Sequence, residues 1–134
     1  MPQPPTLSKT ATGAQCQVDV NYAVVVTNGS AQDTLTLNQL IDDVYGDITS
    51  VHGNIVSTTC GQTSAGGAGA LPFEIAVSGN YSCSFVGRIN SCSTTVKDTV
   101  SGSATDNDGR AYTSNSTPPL APDDATVVVS VTTP

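Results

Sequence analysis

Tyr81-Ser82-Cys83-Ser84-Phe85-Val86-Gly87-Arg88-Ile89 puts Tyr81, Cys83, Phe85 and Ile89 on one side of an extended chain and Ser82, Ser84 and Arg88 on the other. Side chains alternate across a strand with period two, so this stretch reads as a strand with one face in a core and one in water. A second alternating stretch, Ser93 to Thr105, follows it, and Asp106-Asn107-Asp108-Gly109 then supplies the turn chemistry of a hairpin. Cys83 and Cys92 fall inside this region, and none of its groups is plainly built for chemistry. The segment predicts an oxidised, antiparallel, all-β domain.

The pattern extends in both directions. Val18, Val20, Tyr22, Val24 and Val26 share a face, and Asn28-Gly29-Ser30 ends that strand. Thr34 and Thr36 alternate with Leu35 and Leu37, and Asn38 to Asp43 reads as a helical turn before a strand over Ile48–Ser57. Gly61–Ala70, rich in Gly, Ala and Ser, reads as a mobile loop with no phosphate-cradle pattern. Leu71, Phe73, Ile75 and Val77 mark a further face, and Arg110–Ser114 a short strand. Thr117–Pro122 cannot pair in a sheet centre because proline lacks the amide hydrogen. Ala125, Val127, Val129 and Val131 mark the last strand. Seven to nine short strands without a long helix predict a two-layer antiparallel β-sandwich with Greek-key connections, with a closed barrel as the alternative.

With 134 residues the chain has the size of one domain. Only 11% of residues are charged and the net charge is −7, the cations being Lys9, Arg88, Lys97 and Arg110. So few cations cannot neutralise a row of phosphates, which excludes nucleic acid, and an anionic membrane surface repels such a chain. No apolar run approaches the roughly 20 residues of a membrane helix. Met1-Pro2-Gln3-Pro4-Pro5 lacks the basic start and apolar stretch of a signal peptide, so residues 1–134 read as one module cut from a longer secreted or surface protein. Four cysteines without a Cys-x-x-Cys pair or neighbouring histidines point to two disulfides in an oxidising compartment rather than to zinc. Three pairings of the four remain open at this point.

Lys9-Thr10, Tyr22–Asn28, Leu40–Asp47, Tyr81–Phe85, Asp98–Val100, Ala104–Gly109 and Asp123–Val127 occur in an order that resembles the immunoglobulin-like conserved-repeat modules of bacterial and archaeal extracellular surface proteins. The resemblance covers nearly the whole chain and implies an immunoglobulin-like sandwich acting as a scaffold, without catalytic residues or a cofactor. It also implies the pairing Cys60–Cys83, from the match around Cys83, with Cys16–Cys92 as the additional pair. Tyr81 stands two residues before Cys83, as in the tyrosine corner of such sandwiches, and is expected to pack; the chain has no Trp.

Candidate chemistry is sparse. His52 is the sole histidine and no Gly-x-Ser-x-Gly elbow is present, so it reads as an ordinary surface residue. Glu74 is the sole glutamate and has no motif partner for glycoside hydrolysis. Asp42, Asp43, Asp106 and Asp108 are the calcium candidates, because hard cations take several oxygens. Asp106–Gly109 is not an EF-hand, since Gly comes fourth rather than sixth and Thr117 stands where a Glu is required, so these acids read first as turns and no metal is expected. A Lys–Asn cross-link of the kind found in surface modules needs a buried lysine, an Asn or Asp across the sandwich and a neighbouring acid. Residues 125–132 offer no Asn, so Lys9 and Lys97 read as solvated strand-edge charges. Three Asn-x-Ser/Thr triplets, at Asn28, Asn80 and Asn115, carry no weight in a chain this rich in those residues.

The expected function is a non-catalytic structural or adhesive spacer, a monomer whose partners are neighbouring modules of the same protein. The alternative is a carbohydrate- or protein-binding accessory module, taking a glycan or a surface protein, that uses loops 61–70 and 117–122. Tyr45 and Tyr112 are then the aromatics expected to be available.

Overall fold

Two antiparallel sheets face each other in the computed structural model, which describes residues 5–7 and 16–130. Among the described residues there is no helix, and nine strands follow one another: β1 (Val18–Thr27), β2 (Leu35–Asp42), β3 (Gly46–Asp47), β4 (Ile55–Thr58), β5 (Phe73–Ile75), β6 (Asn80–Ile89), β7 (Ser93–Asp106), β8 (Ala111–Tyr112) and β9 (Asp123–Ser130). The arrangement is that of a β-sandwich. One sheet has the order β1-β6-β4; in the other, β2 lies between β3 and β5 on one side and β7 on the other, and β7 pairs onward with β8 and β9.

The alternation in β6 places Tyr81, Cys83, Phe85, Gly87 and Ile89 inward, and its full ten-residue register with β1, from Val18↔Ile89 to Thr27↔Asn80, puts Tyr22 and Val26 on the same inner face. A one-residue slip would turn every one of these outward, so burial fixes the register. Leu37, Leu40, Ile75 and Ala104 close the core from the second sheet, with Ile48 and Ile55 at its side. Burying each such aliphatic or aromatic side chain contributes roughly 1.5–3 kcal/mol. Tyr22 stacks on Phe85 with ring centroids 5.0 Å apart, and Tyr45 meets Phe85 edge-on at 5.7 Å. Gly87 makes room for that ring: a Cβ there would lie 2.7 Å from Tyr45 Cε1.

Two expected elements differ. Asn38–Asp42 is the second half of β2, not a helical turn, and Asp43 opens the turn that follows. The pairing of β2 with β7 shifts between Leu37 and Gln39, leaving Asn38 as a bulge. A bulged residue changes the phase of alternation, so Leu37 and Leu40 both face the core at a spacing that mimics a helix. The strand expected over Ile48–Ser57 is reduced to β4, Ile55–Thr58, preceded by turns. Asp47 Oδ1 accepts hydrogen bonds from the Thr49 amide and hydroxyl, and the His52 ring meets the Asp47 carbonyl at 2.7 Å; such local bonds compete with sheet pairing.

The disulfides are Cys60–Cys83 and Cys16–Cys92. The first joins the turn after β4 to β6, and the second ties Cys16, two residues before β1, to the β6–β7 connection. Two disulfides fit an oxidising, extracellular environment. Among the described residues no helix is long and apolar enough to cross a membrane. The last strand is described to Ser130; Lys9-Thr10 and Val131 lie outside the described residues.

Candidate functional site

The inward phase of β7 runs Val96, Asp98, Val100, Gly102, Ala104, so the strand that supplies apolar side chains to the core also carries a carboxyl into it. Asp98 is 2% exposed. The bulge in β2 brings Asp42, at 1% exposure, into the core beside it. Asp42 Oδ1 accepts the amides of Val44 (2.8 Å) and Tyr45 (3.1 Å), an Asx turn that reverses the chain after β2. Its other oxygen, Oδ2, and Oδ1 of Asp98 have no donor when both groups are ionised. The protonated form of Asp98 supplies a hydrogen that the ionised pair lacks. Burial above all, then the hydrogen bond and the charge of Asp42, push Asp98 up to about 7.

Two phenols flank the pair. The Tyr22 and Tyr45 hydroxyls are 3.2 Å apart. Burial raises both phenols above their ordinary range, and the charges of Asp98 and Asp42 add to that rise. The cluster thus holds neutral phenols beside an aspartate that keeps its proton to unusually high pH. Tyr22 and Asp98 of this cluster line a slot of about 130 Å³ between β1 and β9, with Val24, Val100 and Ala125 among others.

The calcium candidates do not form one site. Asp42 pairs with Val100 in the β2–β7 register whereas Asp106 pairs with Leu35, seven residues along β2, roughly 23 Å away in an extended strand. Asp43 is exposed and accepts the Thr99 amide at 2.8 Å. Asp106 and Asp108 instead approach Asp33, each offering an oxygen within 4.8 Å of the others. Asp106 is already engaged: Oδ1 accepts the Arg110 and Asp108 amides and Oδ2 the Tyr112 hydroxyl. The Arg110 amide, with the Tyr112 hydroxyl and the Asp108 amide, holds the Asp106 carboxyl below the usual carboxylate range. Asp33, Asp106 and Tyr112, with Asn28, Pro118 and Pro119, line a concavity of about 360 Å³ at that end of the sandwich.

The two loops expected to bind together do not meet there, since Pro118–Leu120 line this concavity and no residue of 61–70 does. Loop 61–70 is held down. The Tyr81 hydroxyl accepts the Gly61 amide at 2.8 Å and donates to the Gly69 carbonyl at 2.7 Å, while Gln62 Nε2 reaches the Thr49 carbonyl. Tyr81 therefore does more than pack. Tyr45 is in the core and Tyr112 is half-buried, so neither offers an open platform, and no Tyr or Phe side chain among the described residues is exposed.

His52 is exposed, with its ring on the Asp47 carbonyl, and Glu74 is exposed on β5. Lys97 pairs with Thr126 of β9, whereas the β2 ladder stops at Val100, so the other side of β7 at Lys97 carries no partner strand among the described residues; its ammonium stands 3.7 Å from Asp124 on the outer surface. Lys9 lies outside the described residues. Asp98 was missed as a site residue. The readable signal was an acid in the apolar phase of a strand, Val96-x-Asp98-x-Val100. The chain matches no family model, no curated protein and no solved structure in the comparisons made with each.

Proposed function

We propose that this chain is a non-catalytic spacer module of an extracellular surface protein, with an immunoglobulin-like Greek-key sandwich. The sheet orders, β1-β6-β4 against β3-β2-β7 continuing to β9, support the fold reading. The observation that carries the functional reading is the placement of the polar chemistry. Asp42, Asp98, Tyr22 and Tyr45 are buried between the sheets, while Asp106 and His52 hold turns. Both disulfides and Tyr81 join separate segments of the sandwich, the arrangement of a part that resists being pulled apart.

The alternative, a binding module, is favoured by one feature, the concavity at Asn28, Asp33 and Pro118–Pro119. Exposed positions separate the two readings: Ser64→Lys at the tip of loop 61–70, and Pro119→Lys at the rim of the concavity. A spacer leaves adhesion or substrate binding by the parent protein unchanged in both variants. Loss of binding by either variant with an unaltered melting curve would establish the binding module instead.

A further inference from the structure

Asp98 combines two properties that folded chains rarely leave together. It is 2% exposed, and its Oδ1 has no hydrogen-bond partner. Asp42 beside it is as deeply buried and has its Oδ2 in the same condition. Buried polar atoms are normally satisfied, and a buried carboxylate without a counter-charge is costly. Asp98 also lines the slot between β1 and β9, so the group that lacks a partner borders a space that can hold one. Among the described residues the titratable groups around it are acids or phenols. They are Asp42, Asp43 and Tyr45 from β2 and its turn, Tyr22 from β1, and Asp123 and Asp124 on the exposed side of the slot from β9. Lys97, on the other face of β7, stands 3.7 Å from Asp124.

The walls select the kind of cation. Val24, Leu40, Val100, Leu120 and Ala125 make much of the lining aliphatic. A bare divalent ion takes about six or more oxygens, which such walls do not offer. An ammonium on an alkyl stem matches both the carboxyl and the aliphatic side chains. The slot, about 130 Å³, is well below the roughly 300 Å³ at which drug-sized ligands begin, so the stem is a short one. We propose that the slot between β1 and β9 binds an aliphatic primary ammonium, with its nitrogen on Asp98 and its stem along Val24, Val100 and Leu120. The ammonium belongs to a free alkylamine or to a lysine of an extended partner segment. Among the described strands β1 pairs only with β6 and β9 only with β7, which leaves each an edge for such a segment. Asp98 takes the cation as a carboxylate and otherwise keeps its proton up to about 7, chiefly through burial, so cation and proton compete.

The probe is n-butylammonium chloride, added to the full chain at about pH 8. So small a ligand binds in the millimolar range. At about ten times its Kd it raises the folded-to-unfolded ratio about tenfold and Tm by about 5 °C. n-Butanol, of the same shape without the charge, and sodium chloride at the same concentration leave Tm unchanged. In Asp98→Asn, read against its own baseline, the butylammonium shift falls below about 1 °C. The wild-type chain supplies a second measurement that needs no variant to fold: at about pH 5, where the proton holds the carboxyl, the shift also falls below about 1 °C. The peptide acetyl-Val-Lys-Val-amide, with its norleucine counterpart as control, separates the two sources. Binding about tenfold tighter than butylammonium assigns the ammonium to a lysine of an extended partner, and binding no tighter assigns it to a free amine; both uphold the site. The proposal is overturned by no shift with butylammonium, by an equal shift with butanol, or by a shift undiminished in Asp98→Asn or in acid.

Discussion

Asp42 and Asp98 bring their carboxyl groups together inside the sandwich, from β2 and β7, where water reaches neither. Burial first, and then the neighbouring acid, make Asp98 costly to ionise, so it keeps its proton well above the usual carboxylate range.

This sets a pH dependence. An aspartate in the unfolded chain titrates near 3.9, and Asp98 is pushed up to about 7 in the fold. The folded state therefore binds the proton more tightly, so its stabilisation is complete below about pH 4 and is lost as pH rises toward 7. Asp19 and Asp106 are held below the usual range and act only at more acid pH. Tm should decline between pH 4 and 7, and Asp98→Asn, whose amide supplies a hydrogen at every pH, should flatten the decline. An identical slope in the variant rules out the pair as its source.

Tyr81→Phe keeps the ring against Phe73, 4.8 Å centroid to centroid, but removes both hydrogen bonds of the hydroxyl. Leaving the Gly61 amide and Gly69 carbonyl without a partner should cost about 1–3 kcal/mol. Amide exchange should accelerate in residues 61–70 and leave β1 and β7 unaffected. Unchanged exchange in the loop would show that its anchoring does not depend on Tyr81.

Removing Cys60–Cys83 or Cys16–Cys92 as Ala pairs should destabilise by about 3 and about 4.5 kcal/mol in the chain-entropy description. The larger cost falls on the longer separation, 76 residues against 23. Denaturant melts of the two double variants measure the difference, and non-reducing peptide mapping checks the pairing itself. A larger loss for Cys60–Cys83 would mean that native packing at the core end outweighs the loop length.

Gly87→Ala should cost about 1–3 kcal/mol through overpacking, because the new Cβ lies against the buried Tyr45 ring. The penalty should shrink in a Tyr45→Leu background, which a double-mutant cycle reads directly. An additive cycle would place the strain elsewhere.

Calcium should leave Tm unchanged, because Asp106, the central acid of the Asp33–Asp106–Asp108 group, already accepts three hydrogen bonds. Melting in millimolar calcium and in chelator is the comparison. A rise of several degrees, abolished by Asp108→Asn, would make this end a metal site.

Much of the sandwich was legible because β1, β6 and β7 each keep a period of two over ten or more residues, and a long alternation has a single extended solution with one buried face. The turn at Asp106–Gly109 was equally readable, since its chemistry is local. β2 was not, because the bulge at Asn38 is created by pairing with β7 and leaves the linear pattern looking helical. Tyr45 gave no sign of burial, as its place depends on the space left by Gly87 on a distant strand.

The sequence by itself determined the all-β class, the inner faces of β1 and β6 and the small number of cations, all properties of residue order and composition. Tertiary structure alone decided that Asp42 and Asp98 meet, that Asp33 rather than Asp42 joins Asp106 and Asp108, and that Tyr81 anchors loop 61–70. Each of these joins residues far apart in the chain, and a buried carboxyl differs from a solvated one only through the neighbours that folding supplies.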